Sequence, residues 1–167
     1  MKRIAVIGAG SWGTTLAQVL NDNGHKVALW VRNPEKANKI AQSRYNADYL
    51  PQLKLADAIE ISSDLTQAVS NAEILLLAVP SHGMADLCCQ LSKITDCTDK
   101  VSVSCTKGFE YHSGLRMSEI IKSYFPSATV AVLSGPNHAE EIAIRQPAAT
   151  VIACQNEDVA TELQNIF

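Results

Sequence analysis

The chain has 167 residues, of which 47% are hydrophobic, and a formal net charge of −3. This is the usual size of one domain with a substantial core. No run of Lys or Arg is present, so the electrostatic footprint of a nucleic-acid binder is missing. The longest apolar run after the first turn, Ile74 to Val79, is too short to span a bilayer. We therefore expect a soluble protein that neither binds nucleic acid nor inserts into a membrane.

Short apolar runs alternate with amphipathic stretches along the whole chain. The predicted strands are Arg3–Ile7, Lys26–Val31, Ile59–Ile61, Glu73–Val79, Val101–Cys105, Thr129–Leu133 and Thr150–Ala153. The predicted helices are one that contains Leu16, Val19 and Leu20, then Pro34–Ser43, Leu65–Ser70, Met84–Ile94, Leu115–Tyr124, His138–Ile144 and one that starts near Asn156. Such alternation indicates βαβ units and an α/β fold with a doubly wound parallel sheet, covered by helices on both faces.

Tyr45–Leu55 is the one long connection that we expect to be irregular. No linker or repeat divides the chain, so residues 1–167 form one predicted domain. The last residues show no polar tail, and we expect the natural protein to be longer.

The first seventeen residues resemble a signal peptide, since Lys2 and Arg3 precede an apolar stretch. Ser11, Thr14 and Thr15 interrupt that stretch, and three glycines fit a tight turn better. We therefore expect the segment to belong to the fold and the protein to be cytoplasmic.

The five cysteines are odd in number and lack C-x-x-C spacing; they are Cys88, Cys89, Cys97, Cys105 and Cys154. They are expected to be reduced and mostly buried. A redox role for the Cys88–Cys89 pair is the alternative.

Three glycines follow the first predicted strand directly and open the first helix. Gly8, Gly10 and Gly13 match G-x-G-x-x-G inside a predicted βαβ unit, which is the context that a dinucleotide-binding turn requires. The first glycine makes the turn, the second lets the backbone approach a pyrophosphate, and the third lets helix and strand pack closely. Free N–H groups of the helix N-terminus favour the phosphates. The sequence thus predicts a Rossmann dinucleotide-binding domain; the alternative is a plain strand–helix turn.

The residue after the second predicted strand indicates which dinucleotide binds. Arg32 stands there, nineteen residues after Gly13, where an NAD site usually has an acidic residue for the ribose 2′-hydroxyl. A guanidinium can bind a 2′-phosphate through paired hydrogen bonds. NADPH is therefore the favoured cofactor, with NADH possible. The alternative is that Arg32 is a solvated surface charge.

The segments "GAGSWGT", "LWVRNPE", "VPSH", "TKGFE" and "SGPNHAEEIA", in this order and spacing, resemble the bacterial NAD(P)-dependent glycerol-3-phosphate dehydrogenases. The resemblance covers essentially the whole chain. It implies reduction of dihydroxyacetone phosphate to sn-glycerol 3-phosphate for phospholipid synthesis. Members are about twice this long, and their second half is a helical substrate domain that carries the proton-transferring lysine. A homodimer formed through that half is a further expectation.

The resemblance also implies roles for individual residues. Ser11, Trp12, Arg32, Lys107 and Ala139 would contact the cofactor, together with the three glycines. Lys107 would lie where cofactor and substrate meet and act catalytically.

Gly135 and Asn137 would join Lys107 in contacting the substrate, although most members have Ser or Thr where this chain has Asn137. Structural alternatives stay open for several of these residues. Trp12 could pack on Leu16, Lys107 could be a surface lysine, and Asn137 with Glu140 could cap a helix.

His82 is expected to be a loop or cap residue. The other histidines have no clustered acidic partners, so no metal site is predicted.

The expected chemistry is hydride transfer to a ketone, with Lys107 stabilising the charge that develops on the oxygen. Two alternatives remain: a dinucleotide-sensing domain of the same fold, and a reductase of the β-hydroxyacid or ketopantoate type.

Overall fold

The computed structural model describes all residues, Met1–Phe167. The strands are β1 Arg3–Ile7, β2 Lys26–Trp30, β3 Tyr45–Asn46, β4 Leu50–Lys54, β5 Glu60–Ser62, β6 Ile74–Leu77, β7 Val101–Ser104, β8 Thr129–Ser134 and β9 Val151–Cys154. The helices are α1 Ser11–Asp22, α2 Pro34–Ser43, α3 Leu65–Ser70, α4 Met84–Leu91, α5 Met117–Tyr124, α6 Ala139–Ala143 and α7 Glu157–Ile166. Every strand and helix predicted from the sequence is present, with ends shifted by at most three residues.

Seven strands form one sheet in the order β5-β2-β1-β6-β7-β8-β9. The first six are parallel, which confirms the predicted doubly wound sheet. The last strand departs from this parallel arrangement, because β9 runs antiparallel to β8. Ser134 at the end of β8 pairs with Val151 at the start of β9. The connection between them therefore returns along the same edge of the sheet, and no crossover is needed.

Two separate cores cover the two faces of the sheet. Side chains alternate along each strand: Ile4 and Val6 of β1 enter one core, while Ala5 and Ile7 enter the other. Helices α1, α2 and α7 contribute to the first core. Helices α3, α4 and α5 contribute to the second. The sheet is thus the middle layer of three, as the continuously apolar strand β6 predicts.

The segment Tyr45–Leu55 is not irregular, as the sequence suggested. It contains β3 and β4, which form a separate antiparallel hairpin with a register shift after Tyr45. Leu50 and Leu55 are buried, so the segment adds apolar side chains to the packed interior; its polar residues are exposed except Asn46, which is buried. No helix of the chain is both long and apolar enough to cross a bilayer.

Candidate cofactor-binding site

The carboxyl ends of β2, β1, β6, β7 and β8 meet along one edge of the sheet. After β1 the chain continues to β2 and β5 on one side, and after β6 it continues to β7 and β8 on the other. The strand order therefore reverses between β1 and β6. In open α/β sheets, ligands bind in the crevice outside the strand ends at such a switch point.

The glycine turn lies at this switch point. Gly8 follows β1 with a φ of +116°, a backbone conformation that favours glycine. Its N–H donates to the Trp30 carbonyl at the end of β2, 3.2 Å away, and a Cβ at Gly8 would collide with the Ala78 carbonyl after β6. At Gly13, a Cβ would collide with the Gly8 carbonyl oxygen. The predicted turn role of Gly8 and the close-packing role of Gly13 are both confirmed.

Gly10 differs from the other two glycines, because nothing in the fold requires it. Its φ is −77°, and a Cβ built there would have no atom within 4 Å. Gly10 is the N-cap of α1 and provides no side-chain cap for the first turn. Its N–H and those of Ser11 and Trp12 have no hydrogen-bond acceptor within the chain. Open space over free N–H groups at a helix N-terminus fits a dinucleotide pyrophosphate.

Arg32 lies two residues beyond the end of β2, where its exposed side chain makes no hydrogen bond or ion pair. Lys36, a nearby cation in α2, is paired. Lys36 forms an ion pair with Asp48 of the hairpin, with an N···O distance of 2.5 Å, and its ammonium lies 5.7 Å from the centre of the Tyr49 ring. The Asp48 hydrogen bond raises the pKa of Lys36, and the same bond lowers the pKa of Asp48. Arg32, unlike Lys36, is therefore a cation without a partner in the chain.

Ser11 and Trp12 form the first residues of α1. The Ser11 hydroxyl lies 3.5 Å from the carbonyl oxygen of Tyr49, in the hairpin. The Trp12 ring is half-buried and packs against the core that contains Leu16. The packing alternative for Trp12 is therefore realised in part, while the rest of the ring stays accessible beside the turn.

Lys107 follows β7 and is exposed, without an ion pair or hydrogen bond to the chain. The backbone just before it is fixed. The Thr106 hydroxyl donates to the Val79 carbonyl oxygen at 2.7 Å, which joins the ends of β6 and β7. Lys107 and Arg32 thus flank the glycine turn from opposite sides. Their strands are three positions apart in the sheet, or about 14 Å.

Gly135 and Asn137 follow the end of β8. A Cβ at Gly135 would lie 2.7 Å from the Ala149 carbonyl oxygen and 2.7 Å from the Asn137 amide nitrogen. Both polar atoms of the Asn137 side chain are buried and have no hydrogen-bond partner. The capping alternative for Asn137 is wrong. Helix α6 begins at Ala139 with His138 as its N-cap, so Asn137 lies outside the capping position.

Ala139 lies against the glycine-turn helix. It is 8% exposed, and its carbonyl oxygen accepts a hydrogen bond of 3.1 Å from the hydroxyl of Thr15 in α1.

The buried side-chain amide of Asn137 has no such partner, and an unpartnered buried amide is costly in a finished fold. The Asn137 amide thus has a free donor and a free acceptor at the end of β8.

Three residues that the sequence did not single out for the site hold this edge together: Asn46, Thr15 and Thr106. Each acts on a residue distant in the chain: Asn46 reaches back 37 residues to Ala9, and Thr15 reaches 124 residues forward. No local pattern marks such contacts. His82, by contrast, lies in the turn Ser81–Gly83 before α4, as expected of a loop residue.

Comparison with known proteins gives one family. The family model described as the N-terminus of NAD-dependent glycerol-3-phosphate dehydrogenase matches residues 3–160. The glycerol-3-phosphate dehydrogenase (NAD(P)+) of Corynebacterium kroppenstedtii is 45% identical over an alignment of 168 positions that covers 98% of this chain and 50% of that protein. The Bacillus subtilis protein of the same name is 39% identical over an alignment of 171 positions that covers 100% of this chain and 49% of that protein.

A solved structure supports the same family. The glycerol-3-phosphate dehydrogenase of Coxiella burnetii superposes with a TM-score of 0.92 at 28% identity, covering 99% of this chain and 51% of that one. The chain spans about half the length of the curated relatives it matches. The resemblance drawn from the motifs is confirmed, and the chain belongs to the NAD(P)-dependent glycerol-3-phosphate dehydrogenase family, of which it comprises the N-terminal, dinucleotide-binding part.

Proposed function

We propose that this chain binds NADPH and forms the cofactor-binding half of an enzyme that reduces dihydroxyacetone phosphate to sn-glycerol 3-phosphate, in the cytoplasm, for phospholipid synthesis. One observation carries the proposal: the order of groups along the carboxyl edge of the sheet. Arg32 follows β2, the glycine turn follows β1, Lys107 follows β7, and Asn137 follows β8. A dinucleotide with one phosphate group at Arg32 and another at the glycine turn can lie across these strand ends.

The cofactor would lie across the switch point. Arg32 would bind the adenosine 2′-phosphate, and the free N–H groups of Gly10 and Ser11 would bind the pyrophosphate. Ser11, Trp12 and Ala139 would contact the dinucleotide beyond the turn. The missing Cβ of Gly10 leaves room for the phosphates, which supports this placement. The preference for NADPH over NADH depends on Arg32 being unpaired.

The substrate would lie between Lys107 and Asn137. When bound, the nicotinamide supplies a hydride to the ketone carbon. The Lys107 ammonium would stabilise the negative charge that develops on the carbonyl oxygen, an effect that strengthens where water is excluded. Gly135 leaves room for the Asn137 amide, whose two unpartnered polar atoms would hydrogen-bond the substrate.

A second half would close this site. Five of the nine exposed large hydrophobic side chains belong to two segments at the carboxyl ends of β7 and β8; they are Phe109, Tyr111, Leu115, Ile144 and Val151. An apolar surface of this kind beside a binding edge is typical of an interface. The relatives are twice as long, so their second half is the proposed cover and the proposed source of the proton-transferring lysine. A homodimer formed through that half is part of the same proposal.

A chimera tests the function. Residues 1–167 are fused to the second half of the Bacillus subtilis relative, and oxidation of NADPH is followed by absorbance with dihydroxyacetone phosphate. We expect substrate-dependent oxidation, with the intact relative as the positive control. Binding of NADPH by the chimera without any turnover would contradict the substrate assignment, whereas absence of NADPH binding would contradict the cofactor assignment.

A further inference from the structure

Asn46 connects the β3–β4 hairpin to the glycine turn. It is 3% exposed, and its amide nitrogen lies 2.8 Å from the carbonyl oxygen of Ala9 and 2.8 Å from the hydroxyl oxygen of Thr14. The amide group has two hydrogens, so one side chain donates both bonds. Ala9 and Thr14 stand immediately before and after the segment Gly10–Gly13.

The bond to Ala9 fixes the direction of a phosphate-binding group. The peptide that joins Ala9 to Gly10 is planar and trans, so its N–H points opposite to its carbonyl. Holding the Ala9 oxygen on the hairpin side therefore directs the Gly10 N–H away from the hairpin, with no acceptor in the chain. The second bond, to the Thr14 hydroxyl, ties the first turn of α1 to the hairpin.

Gly8 and Gly13 are held by close packing, whereas Gly10 between them has few other restraints. Its carbonyl oxygen accepts the Thr14 N–H at 3.0 Å, but Gly10 has no side chain, and no atom lies within 4 Å of its Cβ position. Glycine loses more conformational freedom on ordering than any other residue. The hairpin, in contrast, is well anchored. The Ala56 N–H donates to Gln18 of α1 at 2.8 Å, and the Arg44 guanidinium donates to the Ala56 and Ile59 carbonyls.

We propose that Asn46 is a positioning residue for the dinucleotide: it holds the glycine turn with the Gly10 N–H directed at the pyrophosphate before the cofactor arrives. Preorganisation of this kind raises affinity by lowering the ordering cost of binding. The inference rests on the proposed function, because it requires a dinucleotide at the glycine turn.

The test compares two ligands on four proteins. Wild type, Asn46→Ala, Thr14→Val and the control Asn38→Ala, an exposed residue of α2, are titrated with NADP+ by calorimetry and with adenosine 2′-phosphate by NMR. Adenosine 2′-phosphate has no 5′-phosphate and cannot reach the turn. We expect Asn46→Ala to raise the NADP+ Kd about tenfold and leave the adenosine 2′-phosphate Kd unchanged. Asn38→Ala should change neither.

Thr14→Val removes one of the two acceptors with little change in shape, and it decides the question if Asn46→Ala does not fold. It should raise the NADP+ Kd about threefold and leave the other ligand unaffected. An unchanged NADP+ Kd in the folded variants would overturn the inference, as would an equal loss of affinity for both ligands, which indicates a purely structural role. Failure of the wild type to bind NADP+ would instead refute the proposed function.

Discussion

The hydroxyl of Thr15 donates to the backbone carbonyl oxygen of Ala139 at 3.1 Å, across 124 residues of chain and in a buried setting. This bond joins α1, which carries the glycine turn, to α6, which follows Asn137. It fixes the two parts of the proposed site relative to each other. Removal of the hydroxyl loses a buried hydrogen bond between two elements that are far apart in the chain, which is more costly than loss of an exposed one.

We therefore expect Thr15→Val to lower the free energy of unfolding by about 1–1.5 kcal/mol, the upper part of the range for loss of one hydrogen bond. Urea unfolding followed by circular dichroism measures this. The matched control is Thr161→Val, because the Thr161 hydroxyl also donates to a helix carbonyl, that of Glu157, but on the exposed surface. Its effect should stay within about 0.5 kcal/mol. Equal effects of the two substitutions would show that the Thr15 bond does not stabilise the α1–α6 contact.

The cofactor preference should depend on Arg32. Loss of one charge-assisted contact costs on the order of 1.5–3 kcal/mol, so Arg32→Ala should weaken NADPH binding roughly 10- to 150-fold. NADH lacks the 2′-phosphate, and its affinity should barely change. Fluorescence titration of both cofactors measures the preference. Arg116→Ala, which removes an exposed arginine far from β2, should leave both affinities unchanged; an NADPH preference that survives Arg32→Ala would refute the assignment.

A side chain at Gly10 should affect cofactor binding, whereas a side chain at Gly13 should affect stability. Gly10→Val should leave the domain folded, because no atom lies within 4 Å of its Cβ position, but abolish NADPH binding by filling the space proposed for the pyrophosphate. Gly13→Ala drives a Cβ against the Gly8 carbonyl and should destabilise the fold, by roughly 1–3 kcal/mol as for other overpacked sites. Thermal unfolding and NADPH titration of both variants separate these effects. Normal NADPH binding by folded Gly10→Val would rule out this placement.

The parts of the site that the sequence predicted are those with a local signal. The glycine spacing and the strand that precedes it specify the turn, and Arg32 is found by its distance from that turn. The position of Asn46 has no such signal, because its partners are 32 and 37 residues away. The direction of β9 has no local signal either, because the sequence of a four-residue strand is the same for parallel and antiparallel pairing. The pattern from Asn137 to Glu140 predicted a cap one residue too early, because it does not specify where the helix begins.

Thiol reactivity should follow burial rather than sequence proximity. All five cysteines are free. Burial raises the pKa of Cys88 to about 12, and it also raises the pKa of Cys97 and of Cys105. These three thiols carry almost no thiolate near pH 8, and the thiolate is the nucleophile.

Iodoacetamide at pH 8 should therefore modify the half-buried Cys89 and Cys154 in the native protein, and all five after denaturation. Mass spectrometry of peptides identifies the modified residues. Rapid modification of native Cys88 together with Cys89 would revive the redox interpretation of this pair.

The last prediction is that the 167-residue chain binds NADPH but does not reduce dihydroxyacetone phosphate at a measurable rate. Lys107 is exposed here, so water would weaken its effect on a developing oxyanion. None of the four histidines has a side-chain hydrogen bond to a carboxylate that would orient it as a general acid. General acid catalysis contributes about 10²–10⁴-fold, and positioning of two reactants contributes about 7–11 kcal/mol. Absorbance of NADPH with dihydroxyacetone phosphate, compared between the chain and the chimera, measures the difference. If the short chain equals the chimera, the acid lies within these residues, and Lys107→Ala identifies whether it is Lys107.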